Sequence, residues 1–354
     1  MTLRRLSPLA ASILALGLLP GLAHAALYVT IVQGLGGQPQ YDSEFVAASE
    51  KIAAASESMT DKDKVFRFAD TAANRDALMK HFADLGKKMT ADDRAAIYLV
   101  GHGSFDGEVY KFNISGPDLT GPDFKKVLEA LPGRNHLLVS PGSTSGALLE
   151  AITGVPAPRD DVPGRTAAPT SAAVKESPYL LISGTRNGNE RNATQFGRYF
   201  ADALTSKDAD LNKNNSISIQ EAFDYAEQRV GSYFEDEGKL ATEHAQLRGE
   251  GAAQFNLSRL NALEIKEELA NADDSLAALL KRRAELDAQI EDLQVRRGQL
   301  DNAEYLAQLQ TLILQSAELS EQIDTAQKQG ARVIKPEINI DIPAAPAPGG
   351  GNAF

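Results

Sequence analysis

The chain has 354 residues and carries 36 Lys and Arg against 48 Asp and Glu, which gives a formal net charge of −12. It contains no cysteine, and this excludes disulfides, thiolate metal ligands and a cysteine nucleophile. Its basic residues form no cluster that would follow a phosphate backbone, so nucleic acid is not expected as a partner.

The first residues have the pattern of a cleaved export signal. Arg4 and Arg5 precede a short apolar run, and Ala23-His24-Ala25 is a small-x-small cleavage site. We therefore expect residues 1–25 to be a signal peptide and the mature protein to be periplasmic or secreted. No later stretch reaches the roughly 20 apolar residues that a transmembrane helix requires, so no membrane span is expected.

From Ala26 onward, strand-like and helix-like segments alternate at the spacing of βαβ units. This alternation predicts an α/β domain with a parallel sheet and flanking helices, which we assign to residues 26–206. A Pro-, Ala- and Ser-rich stretch, 154–177, is expected to be a mobile surface loop within it. The predicted strands are 27–32, 64–68, 95–100, 136–139 and 179–182, and the predicted helices are 42–58, 72–88, 121–131, 194–206 and 219–234.

Three of the predicted strands end in unusual loops, and ligands of open parallel sheets lie beyond such ends. The loops are Gly34-Leu35-Gly36-Gly37, Gly101-His102-Gly103 and Ser143-Thr144-Ser145-Gly146. A histidine after one strand and a hydroxyl after the next predict a catalytic dyad across adjacent loops. The first loop lacks the spacing of a dinucleotide loop and the Lys-Ser/Thr of a phosphate loop, so we interpret it as a tight strand exit.

The segment from Tyr98 to Gly103 reads YLVGHG and resembles the histidine motif of caspase/legumain-fold peptidases. Ser143-Thr144-Ser145-Gly146 resembles the Cys-x-Ser-Gly motif of legumain-like members. The similarity extends over roughly residues 26–250 and includes two further turns, Gly116-Pro117-Asp118-Leu119 and Gly184-Thr185-Arg186-Asn187.

This resemblance implies a caspase/legumain-like sandwich around a parallel sheet and a peptide or protein as substrate. By the same resemblance His102 matches the general base and Ser143 the nucleophile position. The backbone amides of Gly103 and Ser143 match the oxyanion donors.

Serine at the nucleophile position departs from the family, because a hydroxyl is far less acidic than a thiol and must lose its proton to the base during attack. Serine hydrolases normally orient that base with a carboxylate, and the sequence indicates none. An active hydrolase and a pseudoenzyme both stay open. His81 and His136 are interpreted as structural, and His244, beside Glu243, as a candidate third site residue.

The segment from Asp210 to Glu221 matches the twelve-residue calcium loop of EF-hands, with apolar Ile217 at the eighth position. Asn215 stands where that loop usually has glycine in a positive φ, which asparagine tolerates better than most residues. We assign residues 207–255 to this EF-hand-like region and expect a weak calcium site, with a metal-free polar loop as the alternative. The expected ligands are Asp210, Asn212, Asn214, Ser216, Ser218 and Glu221.

The composition changes near residue 256 to Leu, Ala, Glu, Gln, Arg and Lys with helical periodicity. Leucines recur every seven residues at 279, 286, 293 and 300, which predicts a coiled coil or helical hairpin over 256–330 and self-association through it. The Pro-, Ala- and Gly-rich tail, 331–354, is expected to be disordered.

The leading hypothesis is an exported peptidase-family protein with weak or lost hydrolase activity at His102 and Ser143. The alternative is a non-catalytic, calcium-stabilised scaffold or adaptor that assembles through its coiled coil. A carboxylate placed to orient the His102 ring would favour the enzyme.

Overall fold

The computed structural model describes residues 25–133, 135–156, 177–295, 297 and 300–333. The predicted signal peptide, mobile loop and disordered tail lie wholly or largely outside the described residues. The chain divides between Leu260 and Asn261 into two compact units. In the described part of the chain, no helix combines the length and the apolar character that crossing a membrane requires.

The first unit contains eleven strands and six α-helices among its described residues. The strands are β1 (Leu27–Gln33), β2 (Val65–Phe68), β3 (Arg94–Val100), β4 (Gly103–Phe105), β5 (Tyr110–Phe112), β6 (Leu119–Thr120), β7 (Leu137–Ser140), β8 (Leu180–Ser183), β9 (Ser216–Ser218), β10 (Gln246–Arg248) and β11 (Asn256–Arg259). The helices are α1 (Pro39–Ser56), α2 (Arg75–Lys88), α3 (Gly121–Ala130), α4 (Gly146–Thr153), α5 (Phe196–Ala203) and α6 (Ile219–Asp236).

Six strands form the central sheet in the order β10-β8-β7-β3-β1-β2, and all neighbours pair in parallel except β10. All seven residues of β3 are buried, because helices cover both faces of the sheet. One core contains residues of α1, α5 and α6, and the other contains residues of α2, α3 and α4. The predicted fold class is confirmed as mixed α/β with a mostly parallel sheet and flanking helices.

The short antiparallel strands are not in the sequence prediction. Strands of two to four residues, such as β4 to β6, leave too few positions for a periodic pattern. Residues 256–259 were assigned to the helical segment, and this is wrong for them. They form β11, which pairs with β9, while Ser258 Oγ donates to the carbonyl of Leu204 at 2.6 Å.

Of the two histidines interpreted as structural, His136 is buried in the first unit and His81 is half-buried. His81 packs among Phe66, Phe68 and Phe82, and burial lowers its pKa to about 4. His136 Nδ1 accepts the backbone N–H of Ala95 at 3.0 Å.

The second unit consists of three helices in its described part, α7 (Ala262–Asn271), α8 (Asp274–Val295) and α9 (Asn302–Val333). The helices α8 and α9 pack on each other. Leu286 and Leu293 of the seven-residue repeat are buried, whereas Leu280 rather than Leu279 is fully buried near the start of α8. Coiled-coil assembly between chains stays a prediction.

Candidate active site

The loops that carry His102 and Ser143 touch at the carboxyl edge of the sheet. A Cβ atom built on Gly142 would lie 2.1 Å from the carbonyl oxygen of Gly101, and one on Gly103 would lie 2.7 Å from that of Ser143. These distances are far below ordinary van der Waals contact. Glycine at both positions therefore allows the loops after β3 and β7 to pack backbone against backbone.

The ring of His102 is half-buried against α1. It lies edge-on to Tyr41 and Phe45, with ring centroids 4.7 Å and 5.0 Å away. Burial lowers the pKa of His102, while the charge of Glu44 and hydrogen bonding to the Gly36 backbone act in the opposite direction. The ring is therefore neutral at pH 7 and able to accept a proton. Within the described residues, no carboxylate hydrogen-bonds to it.

The hydroxyl of Ser143 is hydrogen-bonded to a group other than His102. Its side chain is buried, and Oγ donates to the backbone carbonyl of Asn192 at 2.8 Å. A hydroxyl has a single hydrogen, so in this rotamer it is not donated to His102. The structure brings the two loops together without joining the two side chains by a hydrogen bond. The dyad stays a prediction that requires Ser143 to rotate.

Thr144 holds the Ser143 turn in an unusual conformation. Its φ is 60°, a left-handed value that is rare for a β-branched residue, and its Oγ1 is buried with no hydrogen-bond partner among the described residues. The turn is fixed from the loop that follows β8. Thr144 N–H donates to Glu190 O at 2.9 Å, and Thr194 Oγ1 donates to Pro141 O at 2.7 Å. Such strain persists only where the surroundings hold it.

The two amides expected as oxyanion donors are placed near each other. Gly103 of β4 pairs with Phe112 of β5. The neighbouring backbone hydrogen bond between these two strands runs from Asn113 N–H to His102 O at 3.1 Å. This is the pattern of a non-hydrogen-bonded pair, which leaves the Gly103 N–H outside the β4–β5 ladder. Within the described residues, no acceptor takes the N–H of Ser143.

A pocket opens beside His102, between α1, α5 and the ends of β3 and β7. It is open to solvent at its mouth, and Glu44 and Arg198 are the charged residues on its wall. The rest of the wall is largely apolar or backbone. Its apolar side chains are Tyr41, Phe45, Ala48, Ile52, Tyr98, Leu99, Val100, Val139, Pro141, Ala193 and Phe200.

A second histidine lies beside the loop that holds the Ser143 turn. His244 Nδ1 is 2.6 Å from Glu190 Oε1, and Glu190 Oε2 accepts the N–H of Arg186 at 2.8 Å. The acidic partner of His244 is thus Glu190 and not its neighbour Glu243. A contact across 54 residues has no local signal in the sequence.

Glu243 is hydrogen-bonded to the backbone at the start of α5. Its carboxylate accepts the backbone N–H groups of Gln195 at 2.8 Å and 3.0 Å and of Phe196 at 3.2 Å. Burial raises the pKa of Glu243 to about 6, although these hydrogen bonds oppose the shift. The residue fixes the end of the loop that contacts Ser143.

The calcium-loop segment folds with its two carboxylates turned inward. Asp210 accepts the N–H groups of Asn214 at 3.0 Å and Asn215 at 2.9 Å, while Glu221 Oε1 accepts that of Asn212 at 3.3 Å. Asn215 has a φ of 60°, the left-handed value that this position needs.

The rest of the loop supports a fixed geometry. Ile217 is fully buried on β9, and Ser218 caps α6 by accepting the N–H of Glu221 at 3.2 Å and donating to Glu221 Oε2 at 2.8 Å. Among the described residues, no three His, Cys, Asp and Glu side chains form a group suited to a metal ion. The loop has two carboxylates, and its other donors are amides, a hydroxyl and a carbonyl, an oxygen-only set of the kind that calcium takes.

No protein-family model matches the chain, and no curated protein matches it. Among solved structures, it is similar to a protein of Geobacter sulfurreducens, with 14% sequence identity and a TM-score of 0.39, covering 66% of this chain and 96% of that one. It is also similar to caspase-1 of Spodoptera frugiperda, with 10% identity and a TM-score of 0.36, covering 64% of this chain and 87% of that one.

Proposed function

We propose that this protein is an exported, legumain-type member of the caspase-like proteins with weak serine-dependent peptidase activity. One observation carries the proposal. The loop with His102 and the turn with Ser143 are in backbone contact at the carboxyl edge of the sheet, beside a pocket. The test is whether a serine-directed phosphonate labels Ser143 in the purified mature protein.

The proposed reaction begins with rotation of Ser143 away from Asn192 O. The freed hydroxyl attacks the substrate carbonyl and transfers its proton to a ring nitrogen of neutral His102. The N–H groups of Gly103 and Ser143 stabilise the oxyanion. Collapse of the intermediate breaks the C–N bond, and the His102 proton passes to the leaving amine. Water then hydrolyses the acyl-serine ester with His102 again acting as base.

Two features keep this activity weak. No carboxylate among the described residues fixes the His102 ring, and the Ser143 hydroxyl must first give up a 2.8 Å hydrogen bond. Breaking such a bond costs about 0.5–1.5 kcal/mol, which is equivalent to a few-fold to about tenfold in rate.

The pocket beside His102 is proposed to bind an apolar or aromatic side chain of the substrate. A phenyl or indole ring would contact Tyr41, Phe45 and Phe200, and Glu44 and Arg198 together leave the wall without net charge. The chain contains no tryptophan, so N-acetyltryptophanamide excited at a wavelength that tyrosine does not absorb reports the ligand alone. We expect a blue shift and raised anisotropy on binding.

Ala48→Phe is the matched test of this pocket, because the new ring would fill it. We expect it to weaken binding of N-acetyltryptophanamide at least tenfold. Ala47→Phe is the control, since Ala47 lies exposed on the same helix and does not line the pocket. Equal binding by both variants and the unmodified protein would show that the indole ring binds outside this pocket.

Calcium binding in the loop from Asp210 to Glu221 is proposed as a second function. The observation that favours it is the convergence of the first and last carboxylates on backbone N–H groups of the same loop. The residues proposed to hold the ion are the side chains of Asp210, Asn212, Asn214, Ser218 and Glu221 and the carbonyl of Ser216. The ion would fix the start of α6.

A non-catalytic scaffold is the alternative function. The hydrogen bond from Ser143 to Asn192 O favours this alternative, because the hydroxyl that makes it is not donated to His102. On this alternative the second unit assembles copies of the chain. α9 exposes Leu306 and Ile313, seven residues apart, at 53% each.

Sedimentation velocity of the full mature chain measures this assembly. We expect Leu306→Ser with Ile313→Ser to shift the protein toward monomer, because polar side chains weaken an apolar helix seam. Leu240→Ser is the control, since Leu240 is 89% exposed in the first unit. A monomer at all concentrations before any substitution would contradict self-association.

A further inference from the structure

The amino edge of the sheet contains a carboxylate with an unusual partner. Asp93 lies just before β3, is 6% exposed, and accepts the backbone N–H of Ala26 on Oδ1 at 2.7 Å. Its Oδ2 accepts the N–H of Thr90 at 2.7 Å and the Thr90 hydroxyl at 3.1 Å. In the described part of the chain, these backbone and hydroxyl groups are its hydrogen-bond partners. A buried carboxylate without a counter-charge is costly.

Ala26 is the residue that follows the expected cleavage site. Cleavage after Ala25 would convert its amide nitrogen into a free ammonium at the position already hydrogen-bonded to Asp93. The strand itself fixes this position, because Ala26 O accepts the Arg94 N–H at 2.9 Å and Leu27 pairs with Arg94. The ammonium would reach the carboxylate with little rearrangement.

We propose that Asp93 is a binding site for the protein's own α-ammonium group, formed by cleavage after Ala25. A primary ammonium supplies a positive charge, which none of the partners of Asp93 among the described residues carries. It also supplies a charge-assisted hydrogen bond, which is stronger than one between neutral groups. Processing thereby stabilises the first unit. The inference rests on cleavage after Ala25 and is independent of the peptidase proposal, since Asp93 and His102 lie at opposite ends of β3.

The test compares three forms of the full mature chain. Two are released from a removable fusion partner, and the third is acetylated on its α-amine in a separate enzymatic step. One begins at Ala26, one begins at Ala25 and so moves the ammonium by one residue, and one begins at N-acetylated Ala26. We expect the first to melt about 2–4 °C above the other two. Equal melting temperatures for all three would overturn the proposal.

Asp93→Asn in each form identifies the partner, because it removes the charge and keeps one of the two acceptor oxygens. We expect the difference among the three forms to disappear in Asp93→Asn and to persist in Asp92→Asn, its exposed neighbour. A difference that persists in Asp93→Asn would assign the effect to another group. Should Asp93→Asn fail to fold, the ranking of the three unsubstituted forms decides.

Amino-terminal sequencing of the protein from its native host tests the cleavage itself. We expect Ala26 as the first residue. Any other first residue overturns the proposal whatever the hydrolase assay shows.

Discussion

Ser143→Ala is expected to abolish both phosphonate labelling and peptide hydrolysis, with the melting temperature lowered by no more than a few degrees. The substitution removes the nucleophile. The fold loses one buried hydrogen bond, to Asn192 O, which contributes about 0.5–1.5 kcal/mol. Mass spectrometry of the labelled peptide and a fluorogenic peptide assay measure the first two effects.

Ser143→Cys is expected to raise activity above that of the unmodified protein. A thiol ionises near pH 8.5, so a neighbouring imidazole can generate thiolate without waiting for the transition state. His102→Asn in the same background is expected to remove the gain, because the base is lost.

Ser104→Ala is the control for these variants, since Ser104 lies exposed on β4 two residues after His102. Labelling and hydrolysis that survive Ser143→Ala would show that another residue is the nucleophile. No labelling of the unmodified protein, together with no hydrolysis by Ser143→Cys, would favour the scaffold.

Calcium is expected to raise the melting temperature by about 3–5 °C at roughly ten times its dissociation constant, which corresponds to about 1.4 kcal/mol. Asp210 and Glu221 are the only charged ligands proposed, so we expect a dissociation constant of about 10⁻⁴ to 10⁻³ M. Differential scanning fluorimetry with calcium, magnesium and chelator measures the shift. No shift with millimolar calcium would show that the segment binds no calcium.

Glu221→Gln separates the two roles of this side chain. In chelator it is expected to lower stability by about 1 kcal/mol, because the charged half of the capping box with Ser218 is lost. In calcium it is expected to remove most of the ligand-dependent shift. Asp208→Asn should leave that shift intact, since Asp208 lies outside the loop and its side chain is 80% exposed.

Much of the fold follows from local pattern. The run from Ala95 to Val100 is continuously apolar, and the structure buries it as the centre of the sheet. Because parallel strands end at one edge, the pattern also anticipated that the loops with His102 and Ser143 would be neighbours.

The details of the site depend on contacts that have no local pattern. The bond from Ser143 to Asn192 spans 49 residues, and the pair of His244 with Glu190 spans 54. The partner residues, Asn192 and Glu190, occupy no periodic or motif position. The sequence could therefore predict which loops are neighbours, but not which groups their side chains hydrogen-bond to.

The left-handed conformation of Thr144 has a consequence for natural variation in this protein. The groups that hold the turn, the carbonyls of Glu190 and Asn192 and the hydroxyl of Thr194, all belong to one stretch that is remote from Ser143 in sequence. Insertions or deletions between residues 186 and 195 would move Ser143 without replacing it. Homologues that differ in the length of this stretch should therefore diverge in reactivity sooner than in stability.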